Sequence, residues 1–322
     1  MTEPVLVADI GGTNARFALA TRDKDRIITR DSQTFRAEDF ETIRDAADAY
    51  LEAVTAKPKA ACFAVAGPVS DDVIDFTNSP WVLEVANIKA ALGLDRFMVA
   101  NDFEALASSL RHLPKSDLVS VKPGVGAADA PILVIGPGTG LGQALVLSVD
   151  GRDRIIPTEG GHVGLAPGTD EEIEVMKFIA REHPRVSVER VLSGRGLVNI
   201  HRALCAIADT PRVSLKANEI TKAAMTKEYP IAVRAVEMFC ELLGAVAGDA
   251  VLATGARGGV VLGGGILPKI REIFLASQFT RRFLDKGRMC DYVERAPVDL
   301  IVNDGAALIG AAVILDGHSD AD

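Results

Sequence analysis

Two glycine-rich segments of the sequence carry backbone that could receive phosphate. Residues 6–19 read LVADIGGTNARFAL, and residues 133–145 read LVIGPGTGLGQAL. When Thr13 is aligned with Thr139, the glycines before them also align, and the match continues into the next strand. Glycines beside a threonine at a turn between two strands let several backbone N–H groups point at one spot, where phosphate oxygens can bind. The repetition predicts two related halves whose turns could hold one polyphosphate.

Three other interpretations of these turns are open. A dinucleotide-binding turn requires G-x-G-x-x-G at the start of a helix, but Leu141 stands three residues after Gly138, and residues 143–149 (QALVLSV) favour a strand. A Walker-type loop requires G-x-x-x-x-G-K-[ST], which the sequence lacks. A plain hairpin turn explains either copy alone. It explains the pair less well, because an aspartate, an asparagine and an arginine surround the first copy.

A polar pair follows a short apolar run. Residues 97–100 predict a strand, and Asn101 and Asp102 come directly after it. Ligands of open α/β sheets bind at the carboxyl ends of the strands. Asp102 could therefore act as a general base, although an aspartate at the start of a helix is also a common N-cap. Both roles are compatible.

Further polar candidates lie in the second half of the sequence. Glu159 and His162 are three residues apart around two glycines, a spacing that resembles a metal pair but lacks a third ligand. Polar contacts to a ligand are the better functional interpretation, and a structural turn is the alternative. Glu189 is ambiguous on its own, because surface glutamates are frequent in the first turn of a helix; here Ser187 is the predicted N-cap.

The remaining sequence predicts the elements that must position these residues. Strands that alternate with amphipathic helices indicate a mostly parallel sheet. Residues 114–130 are polar and predict a crossing into the second half, and three glycines at 263–265 follow a short buried strand, where backbone can approach a flat ligand. The predicted helices are 40–54, 86–92, 171–181, 216–226, 230–254 and 304–313, and further strands are 61–66, 73–76 and 296–302.

Composition limits the class of protein. A chain of 322 residues suits two domains of roughly 150 residues each. The formal net charge of -9 argues against nucleic acid or an anionic membrane as the main partner. The four cysteines form no C-x-x-C pair, which favours buried free thiols in a reducing cytosol. No signal peptide is evident, and the most apolar stretch, 231–254, contains charged residues, so we expect a soluble cytoplasmic protein.

Taken together, these motifs resemble the bacterial glucokinase family, which has the hexokinase and actin-like ATPase fold. The resemblance covers nearly the whole chain, and the motifs occur in the order and spacing of the family. The matching stretches are ADIGGTNAR at 8–16, NDFEA at 101–105, GPGTGLG at 136–142, PTEGGHVG at 157–164, ERVLSG at 189–194 and GGGI at 263–266.

The resemblance implies an α/β, two-domain actin-like ATPase (ribonuclease H-like) fold with a cleft between the domains. Residues 1–110 would form the small domain, completed by 302–322, and residues 111–301 the large one. Family members use Mg-ATP to phosphorylate the 6-hydroxyl of glucose, which yields glucose 6-phosphate for glycolysis. The resemblance also implies a cytoplasmic homodimer.

By the same resemblance, individual residues receive roles. Asp102 is the implied general base, and Asp9 is implied to hold Mg²⁺ through water. Thr77 and Trp81 are expected to line the sugar pocket. The implied sugar ligands are Asn78, Asn101, Asp102, Glu159, His162 and Glu189. The implied ATP-binding residues are Ala8, Asp9, Ile10, Gly11, Gly12, Thr13, Gly138, Thr139, Gly264 and Gly265.

Two alternatives to glucose phosphorylation are open at this point. Another hexose or an amino sugar could be the substrate, although the cysteine-rich zinc motif of the related repressor and open-reading-frame kinases is absent. An actin-like ATPase or a sugar-sensing regulator is the other. A regulator would need an N-terminal helix-turn-helix, whereas the first predicted strand begins within a few residues of Met1, and an assembly ATPase has no use for the polar set.

Overall fold

The computed structural model describes residues 3–24, 26–67, 69, 73–75, 81–211 and 213–317. The chain divides into two compact units. The first unit comprises Met1–Asp117, Ile155–Pro157 and Asn303–Asp322, and the second comprises Leu118–Arg154 and Thr158–Val302.

Elements are numbered in chain order. Those up to residue 117 are β1 Val5–Ile10, β2 Asn14–Asp23, β3 Arg26–Arg36, α1 Ile43–Val54, β4 Ala60–Val65, β5 Val73–Asp75, β6 Val82–Glu84, α2 Val85–Ala91, β7 Arg96–Asn101 and α3 Asp102–Ser108. The next are β8 Leu118–Lys122, β9 Ile132–Pro137, β10 Leu141–Val149, β11 Arg152–Thr158, α4 Asp170–Ala180, α5 Gly194–Ile207, α6 Ala217–Thr226 and α7 Pro230–Thr254. The last are β12 Gly259–Leu262, α8 Arg271–Ala276, α9 Phe279–Leu284, α10 Cys290–Glu294, β13 Val298–Ile301 and α11 Ala306–Gly317.

The first unit is built on a sheet with the strand order β3-β2-β1-β4-β7. β1 pairs antiparallel with β2 and parallel with β4, and β4 pairs parallel with β7. Leu6, Ala8 and Ile10 of β1 join the apolar residues of α1 in one core cluster. Because side chains alternate along a strand, Asp9 faces the opposite side of the sheet, where α11 packs against β1 and β4.

The second unit contains a sheet with the order β11-β10-β9-β12-β13-β8. β9, β12 and β13 run parallel, and β10 returns antiparallel to β9. The long helix α7 supplies much of the core. It begins at Pro230, where a missing N–H costs no helical hydrogen bond, and it ends at Gly255, whose φ of 69° is the left-handed conformation that glycine adopts readily.

Most of the elements predicted from the sequence are confirmed, including both hairpins and the helices at 216–226 and 230–254. Strands β3, β6, β8 and β11 were not predicted, and β8 lies inside the polar crossing expected at 114–130. The prediction of a helix that begins at Ser187 is wrong. Residues Val188–Arg190 form a 3-10 turn, and α5 begins at Gly194 with Ser193 as its N-cap.

The cysteine thiols are free, and three of them, at positions 62, 205 and 240, are buried. Burial raises the pKa of the Cys62 and Cys240 thiols to about 12, so both stay protonated at neutral pH. In the described part of the chain, no helix combines the length and apolar character that crossing a bilayer demands.

Candidate active site

The phosphate-binding candidate of the first unit and Asp102 lie at one edge of the sheet. Ile10 is level with Val65, and Val65 is level with Asn101, across three parallel strands. The 11–13 turn and Asp102 therefore both follow strands that end at the same height. Since neighbouring strands lie about 4.8 Å apart, the two features are separated by roughly 10 Å along this edge.

The 11–13 turn is closed by its own backbone. The N–H of Gly11 donates to the carbonyl of Asn14 at 2.9 Å, and the N–H of Ala37 donates to the carbonyl of Thr13 at 2.8 Å. The Gly11 amide is thus occupied in the turn. The N–H groups of Gly12 and Thr13 therefore remain as the candidate phosphate donors of this turn.

Asp9 lies opposite Arg16 in the register of β1 and β2. Desolvation raises the pKa of the Asp9 carboxyl, and the positive charge of Arg16 opposes that rise. Arg16 also donates to Thr34 Oγ1 at 3.2 Å and to the carbonyl of Asp304, just before α11. The same arginine therefore faces the Asp9 carboxyl and connects β2 to the start of α11.

Asp9 alone cannot form a complete metal cage. Among the described residues, no group of three or more His, Cys, Asp or Glu side chains is placed to hold a metal ion. Mg²⁺ is commonly bound through one or two carboxylates together with substrate phosphates and waters. A single carboxylate at the end of β1 fits an ion that is carried by a nucleotide.

Asn101, not Asp102, is the N-cap of α3. Its Oδ1 accepts hydrogen bonds from the N–H groups of Phe103 at 2.9 Å and Glu104 at 3.1 Å, and its Nδ2 donates to the carbonyl of Gly67 at 2.9 Å. These bonds leave at most one amide hydrogen for a ligand. Asp102 Oδ1 accepts from the N–H of Phe103 at 2.9 Å, which fixes the carboxylate at the first residue of the helix.

In the second unit, the 138–140 turn lies beside the three glycines at 263–265. A Cβ atom at Gly136 would overlap the carbonyl oxygen of Gly263, and one at Gly264 would overlap that of Pro137. Gly264 also has a φ of +83°, which disfavours any side chain. The two glycine motifs expected to bind ATP are therefore brought together by close backbone packing.

Other glycines in these motifs are not explained by close packing within the protein. A Cβ atom at Gly138 or Gly265 would meet no atom within 4 Å. The space beside both residues is open, as a bound nucleotide requires.

The N-terminus of α5 also lies at the 138–140 turn. The N–H of Gly194 donates to the carbonyl of Gly138 at 2.9 Å, and Ser193 Oγ caps the helix by accepting from the N–H of Gly196 at 2.9 Å. The positive end of a helix dipole favours anions nearby. This placement is electrostatically suited to phosphate.

The sugar-ligand candidates of the second unit lie on two adjacent segments. The N–H of Val188 donates to the carbonyl of Val163 at 3.0 Å, and that of Leu165 donates to the carbonyl of Val186 at 3.0 Å. This pairing brings Glu189 close to the 3-10 turn Gly160–His162. Glu189 is half-buried, and its Oε2 accepts from the N–H of Leu141 at 2.9 Å.

Glu159 and His162 are both largely exposed. His162 Nε2 lies 3.7 Å from Glu159 Oε2, and the side chains are 58% and 67% exposed, respectively. The carbonyl of His162 accepts a hydrogen bond from Arg185 at 2.8 Å, which anchors the turn. Both side chains are thus available to a polar ligand.

Comparison with known proteins decides the family. A family model described as Glucokinase matches residues 6–318. A glucokinase of Nitrobacter hamburgensis is 41% identical over 314 residues, which cover 97% of each chain. The chain belongs to the glucokinase family.

Solved structures agree with this membership. The crystal structure of a glucokinase from an Antarctic psychrotroph is 38% identical and superposes with a TM-score of 0.84, covering 98% of this chain and all of the other. A ROK family glucokinase from Streptomyces griseus, in complex with glucose and AMPPNP, is 20% identical with a TM-score of 0.67 over 98% of this chain and all of its own. The fold is the two-domain actin-like ATPase fold.

As a glucokinase, the chain is an ATP-dependent sugar kinase that phosphorylates glucose. The sequence-based prediction of an ATP-dependent glucose kinase is confirmed. The actin-like assembly ATPase and the sugar-sensing regulator lose their support.

Two of the residues expected in the sugar pocket fall outside the described part of the chain, and a third lies in the core of the first unit. Asn78 and Thr77 are not among the described residues. Trp81 is 2% exposed in the core of the first unit, where its Nε1 donates to the carbonyl of Phe40 at 3.1 Å. Its packing in this core gives no support to the expectation that Trp81 lines the sugar pocket.

Sequence reasoning gave no role to three residues that support the candidate site, Arg16, Arg185 and Gln143. Arg16 lies within the 8–16 motif, but its contacts were not anticipated. Arg16 could have been found by counting back through the first hairpin, which pairs it with Asp9. The other two depend on tertiary packing, for which a single sequence holds no signal.

Proposed function

We propose that this glucokinase transfers the γ-phosphoryl group of Mg-ATP to the 6-hydroxyl of glucose, with Asp102 as the general base. The observation that carries the proposal is the position of Asp102. It stands at the same sheet edge as the 11–13 turn, at the first residue of a helix whose start is fixed by Asn101. The product, glucose 6-phosphate, would enter glycolysis in the cytoplasm.

In the proposed reaction, the carboxylate of Asp102 accepts the proton of the 6-hydroxyl. The oxygen of that hydroxyl bonds to the γ-phosphorus, and the bond from this phosphorus to the β,γ-bridging oxygen breaks. ADP leaves with the electron pair of the broken bond. Phosphoryl transfer depends mainly on alignment and charge neutralisation, so a fixed base at the correct distance is the main demand on the protein.

Sugar recognition follows from the types of the proposed ligands. Carboxylates and an imidazole accept hydrogen bonds, and glucose offers many hydroxyl donors. The proposed set is Asn78, Asn101, Asp102, Glu159, His162 and Glu189. A hydrogen bond to a charged group contributes about 1.5 to 3 kcal/mol. A sugar that lacks one of the matching hydroxyls leaves a polar group unpaired and is selected against.

The nucleotide would be held mainly by backbone. The amides of Gly12, Thr13 and Thr139 are the proposed phosphate donors, and Ala8, Ile10, Gly264 and Gly265 supply backbone surface. The positive end of α5 supports the same assignment. Asp9 would hold Mg²⁺ through water, and the ion, when bound, neutralises charge on the phosphates.

The domain limits and the assembly state belong to the proposal as well. From the family resemblance we infer a small domain at 1–110 with 302–322 and a large domain at 111–301. The same resemblance supports a homodimer. The apolar side chains of helix α7 are not evidence for a homodimer, because they lie in the core of their own unit.

The test of the base is the variant Asp102→Asn. The amide keeps the shape of the side chain but cannot take the proton, so kcat should fall by about 10² or more while glucose still binds. Asp39→Asn serves as the control, since Asp39 is an exposed aspartate of the same unit and its change alters the charge equally. A near-normal kcat for Asp102→Asn would refute the assignment.

A further inference from the structure

Glu189 makes direct contact with the 138–140 turn. Its Oε2 accepts a hydrogen bond from the N–H of Leu141, the first residue of β10 and the residue at which this turn ends. A Cβ atom at Gly140 would lie 2.5 Å from the same oxygen and 3.3 Å from Cδ. The carboxylate therefore fills the space that a side chain at position 140 would take.

The backbone of Glu189 reaches the other end of the turn. Its carbonyl accepts a hydrogen bond from Ser193 Oγ at 2.8 Å. Ser193 is the N-cap of α5, and the next residue, Gly194, donates its N–H to the carbonyl of Gly138 at 2.9 Å. One residue thus holds the turn at its exit through its side chain and at its entrance through two hydrogen bonds in series.

The loop that carries Glu159 and His162 rests on the same strand. A Cβ atom at Gly161 would overlap the carbonyl oxygen of Leu141, and one at Gly160 would overlap Oε1 of Gln143. The side chain of Gln143 is only 7% exposed, so it is fixed beneath this loop. The first residues of β10 therefore contact both the nucleotide-binding turn and the sugar-binding loop.

We propose that Glu189 is a positioning residue for the 138–140 turn as well as a sugar ligand, so that glucose and nucleotide bind cooperatively through its carboxylate. Oε2 holds Leu141, and Oε1 is directed to a sugar hydroxyl. A bound sugar fixes the carboxylate and with it the turn. This inference rests on the proposed function, because it assumes that the turn binds phosphate and that Glu189 binds sugar.

The coupling is reciprocal by thermodynamic linkage. If glucose stabilises the phosphate-binding form of the turn, nucleotide must increase the affinity for glucose by the same factor. Glu159 makes no contact of this kind with the turn in the described structure. Glu159 therefore provides the matched control.

The experiment measures the Kd of Mg-AMPPNP by calorimetry, with and without saturating glucose. For Glu189→Ala we expect the Kd without glucose to rise about tenfold, from the loss of a charge-assisted hydrogen bond, and the effect of glucose to disappear. Glu189→Gln keeps an oxygen that can accept from Leu141, so its Kd without glucose should remain near that of the wild type. Glu159→Ala should weaken glucose binding and leave the Kd without glucose unchanged.

Two results would overturn the inference. One is an unchanged Kd without glucose in Glu189→Ala, even if glucose binding is weakened; the proposed sugar role would then stand without the positioning role. The other is a wild-type protein in which glucose leaves the Kd of Mg-AMPPNP unaltered. Gly140→Ala offers an independent variant that leaves Glu189 unsubstituted. Its methyl group must displace the Glu189 carboxylate, so it should reproduce the rise in the Kd of Mg-AMPPNP.

Discussion

Two glycines in neighbouring turns, Gly138 and Gly264, have different surroundings. A side chain at Gly264 meets the carbonyl of Pro137 and an unfavourable φ, whereas one at Gly138 enters open space. The fold therefore requires a glycine at position 264. At position 138 the structure itself imposes no such requirement, and the open space there fits the proposed role of Gly138 in binding phosphate.

This difference makes a prediction about two alanine variants. Gly138→Ala should fold with nearly the stability of the wild type but lose about tenfold or more in affinity for ATP, because the methyl group occupies the space of the phosphates. Gly264→Ala should lower the free energy of unfolding by about 1 to 3 kcal/mol. Thermal unfolding and the KM for ATP measure the two effects. Normal KM in Gly138→Ala would show that the nucleotide does not approach this turn.

At the residue scale, sequence could identify types and motifs but not most contacts. The glycine turns, Asp102 and Glu159 became candidates because their residue types suit phosphate or hydroxyl chemistry, whereas Glu189 was ambiguous alone and received its role from the family resemblance. The contact of Glu189 with Leu141 joins residues 48 positions apart, and no periodicity or local motif encodes it. An N-cap role was considered for Asp102, but the N-cap of α3 is Asn101, since both residue types favour that position.

At the element scale, the packing of α11 on α3 determines where Asp102 lies. A Cβ atom at Gly310 of α11 would overlap the carbonyl oxygen of Ala105 in α3. The helices are thus in backbone contact, one turn away from the start of α3. Arg16 joins the N-terminal end of α11 to the sheet through the carbonyl of Asp304.

Gly310→Ala should therefore affect both stability and catalysis. The added methyl group forces the helices apart, which should cost about 1 to 3 kcal/mol of stability. The displacement of Asp102 should also lower kcat by about tenfold or more. Gly317→Ala is the control in the same helix, since its Cβ atom meets nothing within 4 Å. An equal effect of the two substitutions on kcat would contradict this role for Gly310.

The last helix was predicted from the sequence at 304–313, but its packing partner α3 was not. Prediction failed for β8 because the strand is short and lies at the edge of its sheet among polar residues. The alternation of apolar and polar residues is weakest in such a strand. It also failed near Ser187, where a 3-10 turn precedes the helix. Local propensity does not distinguish such a turn from the first turn of an α-helix.

At the scale of the whole molecule, the alternation of strands and helices and the repeated turn predicted an α/β protein with two related halves, and the family resemblance implied the actin-like ATPase fold. The family relatives confirm that class and the kinase activity. The net charge of -9 is compatible with an anionic substrate because phosphate contacts are assigned to backbone amides, a helix N-terminus and a metal ion. Composition alone could not have located those local sites.

The most direct test is the rate of ADP release by the purified protein with Mg-ATP. Glucose would be compared with mannose, fructose and N-acetylglucosamine at equal concentration, beside a reaction without sugar. Because the proposed ligands match the hydroxyls of glucose, we predict strong stimulation by glucose and far weaker stimulation by the other sugars. A steady basal rate that no sugar raises, or a preference for another hexose, would contradict the account.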